Sequence, residues 1–305
     1  MLYYVPKIPE FNGAETRPAC GRHSPYRAGV LRSNSPCPSR SILYYVLGEM
    51  PLPPILYHYF QLPLPYARTL ALQERIHQIQ LLRRRSGEHQ DYLLLLQHRP
   101  VYTAGRRQLL ASQEVEAEAA RLTNIGADFV ATKRGGQTTY HGPGQIVGYP
   151  LLDLGRWSPP LGIREYICRM QKTLEAHLAE AHGIQHAPSE HTGVFLDAQT
   201  KIASIGVQVR HRLTTHGFAM NVTREPRAWF DQIVACGLAD VKAGCIADAS
   251  TTKANEITVE REIRGLVTRF GRQFGRDMHQ LDMSGGGEVV DEIRAVEEEA
   301  RSAGN

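Results

Sequence analysis

Residues 134–145 read Arg-Gly-Gly-Gln-Thr-Thr-Tyr-His-Gly-Pro-Gly-Gln, set between the apolar segments Ile125 to Ala131 and Ile146 to Leu154. Apart from Tyr140 and His141 the stretch consists of glycine, proline, arginine, glutamine and threonine. Polar loops normally lie at the surface, and a glycine-dense one placed between core strands lets a ligand approach the backbone closely. The spacing is neither the GxxxxGK[ST] of a phosphate-binding loop nor the GxGxxG of a dinucleotide fold. That leaves a specialised loop for an acyl group or a cofactor.

Around this loop, 305 residues with 42% hydrophobic content are enough to bury a full core. No apolar run approaches the roughly 20 residues a membrane-spanning helix needs. The formal charge is +4 and unevenly placed: residues 1–50 hold six Lys/Arg against three Asp/Glu, and Ser284 to Asn305 hold two against six. The cysteines (Cys20, Cys37, Cys168, Cys236, Cys245) are odd in number and form no CxxC pair. This argues against a disulfide framework or a zinc ribbon and for a reducing compartment.

Working outward along the chain, residues 1–52 form an Arg- and Ser-rich extension, which reads either as a mitochondrial transit segment or as a plain leader. The compartment is accordingly mitochondrial or, failing that, cytoplasmic. The proline-rich stretch Pro51 to Pro65 reads as an extended lead-in. The core domain spans 53–280. Leu72, Ile76, Ile79 and Leu82 recur at helical spacing and end in Arg83-Arg84-Arg85 before Gly87. Asp91 to Gln97 reads as a buried strand, and Phe129 to Thr132 and Gln145 to Leu152 as strands on either side of the loop. Ile163, Ile167, Met170, Leu174 and Leu178 outline an amphipathic helix closed by Gly183. A hairpin follows, Gly193 to Leu196 with Ile202 to Val209, then a strand over Gly217 to Val222 and a short helix over Arg227 to Val234. Ile263, Leu266, Phe270 and Phe274 give the last core helix, and Ser284-Gly-Gly-Gly287 opens a flexible acidic tail, 281–305, whose acidic remainder around Glu297 to Glu299 reads as a solvated helix. The order predicts an α/β (α+β) protein, a mixed sheet with flanking helices.

The candidate chemistry centres on Cys236, in the turn-like step Ala235-Cys236-Gly237, whereas Cys168 sits in an apolar-periodic helix as a buried filler. A free thiol with a pKa of about 8.5 is mostly protonated at neutral pH, so a nearby cation is needed to activate it. Lys201 opens the otherwise apolar strand Lys201-Ile-Ala-Ser-Ile-Gly-Val and is the natural candidate, although on spacing alone it reads equally well as a hairpin-end lysine facing water. His141 and His216 would make a rival Cys/His pair, but nothing nearby matches a cysteine-protease signature. His182, His186 and His191 do not have the spacing of a standard zinc site, so no metal is expected, and no cofactor.

These segments resemble the lipoyl(octanoyl) transferase family over most of the chain. The family hallmark RGGxxTYHGPGQxVGYPLLDL is matched by Arg134 to Leu154, and HxPVxTxGR by His98 to Arg106. Gly193-Val-Phe with Lys201-Ile-Ala-Ser-Ile-Gly206, then His216-Gly-Phe-Ala-Met-Asn-Val222, then Ala235-Cys-Gly237, follow in family order. The resemblance implies a fold similar to the biotin-protein-ligase and lipoate-ligase catalytic domain. It implies transfer of an octanoyl group from octanoyl-acyl carrier protein to a lysine of lipoyl domains, those of 2-oxoacid dehydrogenase complexes and of the glycine cleavage H protein. It assigns Cys236 as acyl-thioester nucleophile and Lys201 as its activator. Arg134, Gly135, Gly136, Gln137, Thr138, Thr139, Tyr140 and His141, with Ser204, Ile205, Gly206, Gly217, Phe218 and Ala219, would line the acyl pocket. Arg106, Arg107, Lys133 and Arg134 would steer the acidic protein substrates. Lys133 departs from the acid many relatives carry there, and the connection 244–256 is longer and more polar than the family needs. The rivals are an ATP-dependent lipoate- or biotin-protein ligase of the same fold, which needs no nucleophilic cysteine, and a non-catalytic lipoyl-domain-binding module. Neither nucleic acid nor membrane is an expected partner.

Overall fold

Every residue of Asp91–Leu96, sequence DYLLLL, is buried. A strand reads as an unbroken apolar run rather than as an alternation when both faces of its sheet are covered, and the computed structural model of the chain shows how this happens. The structure describes residues 52–108, 112–234, 237–238, 240–251 and 254–302; the expected leader, 1–52, falls outside them except for its last residue. In this strand, β2, Leu93 and Leu95 point into one hydrophobic cluster, and Tyr92, Leu94 and Leu96 into another on the opposite face.

The sheet carrying β2 also contains β1 (Ile55–Tyr59), β6 (Gln145–Leu151), β8 (Thr200–Arg210), β9 (Leu213–Asn221), β10 (Lys242–Ala243) and β11 (Met278–Gln280), in the order β10-β8-β9-β6-β2-β1-β11, with β7 (Val194–Phe195) paired to β8. The pairings β2–β6, β6–β9, β9–β8 and β8–β7 are antiparallel, whereas β1 runs parallel to β2 and β11, and β10 parallel to β8. A second, three-stranded sheet has the order β4-β3-β5, from β4 (Asp128–Ala131), β3 (Val101–Ala104) and β5 (Thr139–His141). This is the mixed sheet with flanking helices read from the sequence.

On one face lie α3 (Ile163–His182) and α6 (Val259–Phe274), burying Met170, Leu174, Leu266 and Phe270 among others. Their ends are as the sequence implies. Gly183 and Gly275 close them in the left-handed conformation at φ 65° each, which glycine adopts without Cβ strain. Thr258 caps the start of α6, accepting from the backbone N–H of Arg261. On the other face lies α1 (Tyr66–Ser86), with Leu72, Ile76 and Ile79 buried and Gly87 as its cap. Leu82, expected on the same stripe, is 62% exposed. Gln73 and Gln80 are buried instead, because each meets main chain: Gln73 Oε1 accepts from His216 N at 2.7 Å, and Gln80 Nε2 donates to Leu151 O at 2.8 Å.

Two elements differ from expectation and one lies where none was assigned. Thr139–His141 is a strand, not loop, since its backbone pairs antiparallel with β3. Ser112–Asn124 forms a helix, α2, that shows no broad apolar stripe. Most consequentially, the acidic tail, expected to be flexible with a solvated helix, carries a helix packed on the core. Glu288–Ser302 (α7) buries Val289, Val290, Ile293, Val296 and Ala300 against the α1 side of the core. Its acidic residues meet the arginines of α1, with Arg75 Nε 3.0 Å from Glu292 Oε1 and Arg68 Nε 2.6 Å from Glu299 Oε2. The acidity that suggested a solvated tail is therefore the outer half of an amphipathic helix. Ile293 is fully buried, so Ile293→Ala should cost about 2–5 kcal/mol, visible as a lowered thermal midpoint. An unchanged midpoint would show that α7 contributes nothing to the fold.

No helix among the described residues is long and apolar enough to cross a membrane.

Candidate functional site

The antiparallel register of β8 and β9 does the assembling. It sets Ser204 opposite Ala219, Ile205 opposite Phe218 and Gly206 opposite Gly217, so two stretches singled out separately in the sequence become one surface. Over it lies the glycine loop, tied down by Gly135 N donating to Val207 O at 3.1 Å, while Arg106 N and Arg107 N donate to the carbonyls of Arg134 and Gly136. Between loop and strands is a cavity of about 250 Å³. Of the expected pocket residues it is lined by Arg134, Gly135, Gly136, Gln137, Thr139, His141, Ser204, Ile205, Gly206, Gly217, Phe218 and Ala219, and by Lys201.

Two expected pocket residues do not line it. Tyr140 is fully buried on the other side of its strand, stacked on Trp229 with centroids 5.3 Å apart, within a cluster that includes Tyr102 and Phe230. Thr138 is buried and outside the lining. Both follow from the two-residue alternation of a strand: Thr139 and His141 face the cavity, and Tyr140 faces away. Arg134 lines the cavity but is 6% exposed, so it cannot belong to a surface steering patch. Its guanidinium is spent on structure, donating to Thr103 O at 2.6 Å, Gln137 O at 2.9 Å and Gly135 O at 3.0 Å. It holds the loop in shape. Arg106, Arg107 and Lys133 are exposed.

Several lining residues were not singled out for this role by sequence. Tyr66 opens α1, Val147 and Tyr149 lie on β6, and Thr192 and Leu238 complete the wall. His216, read as half of a Cys/His pair, also lines it. Nothing local marks Tyr66; it joins the site only because α1 packs on the β6–β9 face.

The two buried imidazoles of this wall, His141 and His216, are neutral. Burial pushes the His216 pKa down to about 3, helped by the charge of Arg134. The same two causes, with the neighbouring His98, hold His141 well below the ordinary histidine range. His98 sits behind the cavity, bonded to the Tyr149 hydroxyl at 2.6 Å, and burial lowers it to about 4. Burial raises Tyr66 to about 12. No carboxylate is among the described lining residues, and the cations at the cavity are Arg134, Arg107 and Lys201. An anion forming there would meet cations, dipoles and neutral rings.

These depressed histidines make a prediction about stability. In the unfolded chain His98 and His216 take up protons near pH 6.5, in the folded protein only near 4 and 3. Acidification from pH 7 therefore favours the unfolded state, and their stabilisation is lost as pH falls below 6.5. By linkage the loss approaches roughly 3 kcal/mol per pH unit for the pair. Urea midpoints at pH 7 and pH 5 check this, and equal midpoints would contradict the assignment.

Lys201 stands on β8, its Nζ donating to Thr192 O at 2.9 Å and lying 5.2 Å from the centroid of the Phe195 ring. Gly193 makes this possible. Its φ is +127°, and a Cβ there would come 2.6 Å from Lys201 Cε and 2.4 Å from Ala203 O. The hairpin turn before Lys201 is fixed by Asp197, whose Oδ1 accepts from Gln199 N at 2.8 Å. Lys201 thus lines the cavity while remaining partly exposed. Cys236 lies outside the described residues, but Gly237 and Leu238, which follow it, line the same cavity as Lys201. Of the described thiols, Cys168 is only partly buried, against the expectation of a core filler, and Cys245 is buried and pushed up to about 11 by that burial.

His216 adds a strained feature. It is not glycine, yet its φ is +58°, and its ring Nδ1 lies 3.4 Å from the Tyr66 hydroxyl. Such conformations collect at functional sites. The histidines weighed as metal ligands do not come together. His186 pairs loosely with Glu175, and His191 lines the cavity. His182 instead joins His177 on Glu262, at 2.8 and 2.7 Å, and these three could hold an ion by their ligand geometry, a grouping not foreseen from spacing.

The fold and cavity define a class, and comparison with known proteins identifies it. A family model described as the lipoyl protein ligase A/B catalytic domain matches residues 65–271, and the chain belongs to that family. Among its relatives, the octanoyltransferase of Koribacter versatilis is 42% identical over 207 residues, 65% of this chain and 78% of the relative. The mitochondrial octanoyl-[acyl-carrier-protein]:protein N-octanoyltransferase of Homo sapiens is 37% identical over 214 residues, 68% of this chain and 87% of the relative. In fold, the chain is similar to a bipartite lipoate protein ligase from Thermoplasma acidophilum, with a TM-score of 0.56 at 16% identity over 81% of this chain and 92% of that one. It is likewise similar to lipoate-protein ligase A bound with ATP, TM-score 0.53 at 16% identity over 80% and 94% of the two chains.

Proposed function

We propose that this chain is an octanoyltransferase, moving an octanoyl group from octanoyl-acyl carrier protein to a lysine of a lipoyl domain through a thioester on Cys236. The observation that carries this is the Lys201 ammonium on the wall of a cavity lined by no carboxylate among the described residues, next to the Gly237–Leu238 segment. Relatives named for the same activity at 37 and 42% identity support it.

The chemistry follows from the residue types. A nearby ammonium favours the Cys236 thiolate, which attacks the donor's thioester carbonyl. A bond from carbon to the Cys236 sulfur forms, the bond to the donor sulfur breaks, and the donor leaves as a thiol by taking a proton from the Lys201 ammonium, which is left as the amine. Exchange of one thioester for another is nearly isoenergetic and needs no ATP. In the second half the acceptor lysine must be neutral to attack, although its ordinary pKa is about 10.4. Lys201 as the amine takes that proton while a carbon–nitrogen bond forms and the Cys236 thiolate departs. Backbone N–H groups of the glycine loop hold the oxyanion in both steps. The paired small residues of β8 and β9 leave a slot for an unbranched chain, and the neutral His141 and His216 add no charge to it.

The acceptors in this reading are lipoyl domains of 2-oxoacid dehydrogenase complexes and the glycine cleavage H protein. The compartment in this reading is the mitochondrion, as in the name of the human relative. A direct test is transfer from octanoyl-acyl carrier protein to a purified lipoyl domain without nucleotide. Octanoylated product supports the reading; product appearing only with free octanoate and ATP would make this chain a ligase of the same fold.

A further inference from the structure

A second cavity of about 200 Å³ lies against the first, and Lys201, Ser204 and Ala219 line both. The two are otherwise built from different parts. Gly237 and Leu238 line the first, Asp231 and Ile233 the second, and Cys236 falls between these pairs in sequence. The glycine loop belongs to the first alone; Val241 and Ala243, at β10, belong to the second.

The reaction requires a space of this kind. At the carbon being transferred, four groups are present in each half: the alkyl tail, the oxygen, the Cys236 sulfur and one more. That last group is the departing donor sulfur in the first half and the entering amine nitrogen in the second. With tail, oxygen and enzyme sulfur held in place, it has one direction left. Both partners present it on a thin, unbranched arm: the donor's thiol ends a chain of methylenes and amides, and the acceptor's amine ends four methylenes. The second cavity suits such an arm. Ile202 and Phe230 give apolar walls, Gln145 and Asn221 give amides held to each other at 2.8 Å, and the exposed Asp231 and Lys242 bring one charge of each sign.

We infer that the second cavity is a common channel, occupied first by the thiol-bearing arm of the acyl donor and then by the acceptor lysine side chain. This rests on the octanoyltransferase reading above. It also states why the enzyme releases its first product before the second substrate can bind: the two arms use the same space.

Val241→Trp narrows the channel without touching the glycine loop. Each half is then followed by intact mass with two partners, one bearing an arm and one without. Acylation by octanoyl-acyl carrier protein should fall at least tenfold, whereas acylation by S-methyl octanethioate, whose leaving thiol has no arm, should stay within about twofold. Discharge of the octanoyl-enzyme by a lipoyl domain should fall at least tenfold, and discharge by hydroxylamine should not. Should Val241→Trp form no adduct even with S-methyl octanethioate, the smaller Ala243→Leu replaces it. Loss in only one half would overturn the common channel, as would no loss in either. An unsubstituted enzyme that forms no adduct with either donor would overturn the transfer reading itself, a separate result.

Discussion

Cys236→Ala will abolish octanoyl transfer, by on the order of 10³-fold or more, while leaving the thermal midpoint unchanged. The magnitude follows from the role. Without the thiol there is no acyl-enzyme, and the remaining groups of the site can only hold substrates near one another, as when a nucleophile is deleted in other covalent enzymes. The fold should not notice, because the substitution removes one sulfur atom and introduces neither bulk nor charge. The rival readings predict otherwise. A ligase that activates a free acid would keep most of its turnover, and a binding module would have none to lose. Turnover within tenfold of the parent enzyme would refute the covalent mechanism.

Lys201→Ala comes second, with an expected loss of about 10²–10⁴-fold in transfer, the usual range for removing a positioned acid–base group. Two readouts separate its roles. The thiol of the variant should react more slowly with iodoacetamide at neutral pH, because the neighbouring ammonium that favours the thiolate is gone. Discharge of a preformed octanoyl-enzyme by a lipoyl domain should also slow, because nothing takes the proton from the entering lysine. Gly193 and Thr192 exist around this residue to hold it, the first by having no side chain where Lys201 Cε passes and the second by accepting from Nζ. An unchanged alkylation rate would remove Lys201 from thiol activation, and unchanged discharge would remove it from the second half.

Much of the fold was legible because its elements are marked locally. α1, α3 and α6 show their stripes and end at Gly87, Gly183 and Gly275. β2 reads as buried, and the hairpin of β7 and β8 is signalled by its Asp197 turn. What escaped reading depends on partners far away in sequence. β5 is a strand because β3 pairs with it, and its own residues are those of a loop. α2 has too thin an apolar stripe, with Leu122 its one fully buried side chain among those described. For α7 the pattern Val289, Ile293, Val296, Ala300 was present, but the run Glu297 to Glu299 drew the reading toward solvent.

The site divides in the same way. Glycine-loop residues and the paired blocks of β8 and β9 were found as motifs, and their convergence on one cavity could be expected once the strands were. Tyr140 was misassigned because a motif does not say which side of a strand each residue faces. Arg134 lines the pocket as expected, but the basic run it belongs to suggested a steering patch as well, whereas it is buried with donors taken by Thr103, Gly135 and Gln137. Tyr66, Tyr149 and the second cavity arise from packing alone.

The central claim is the covalent octanoyl-enzyme, and intact-protein mass spectrometry after mixing the chain with octanoyl-acyl carrier protein, without nucleotide, tests it most directly. The account predicts the mass of one octanoyl group added, mapped by digestion to Cys236 and lost on adding a lipoyl domain that gains it on a lysine. No adduct, or an adduct on another residue that a lipoyl domain cannot discharge, would contradict it.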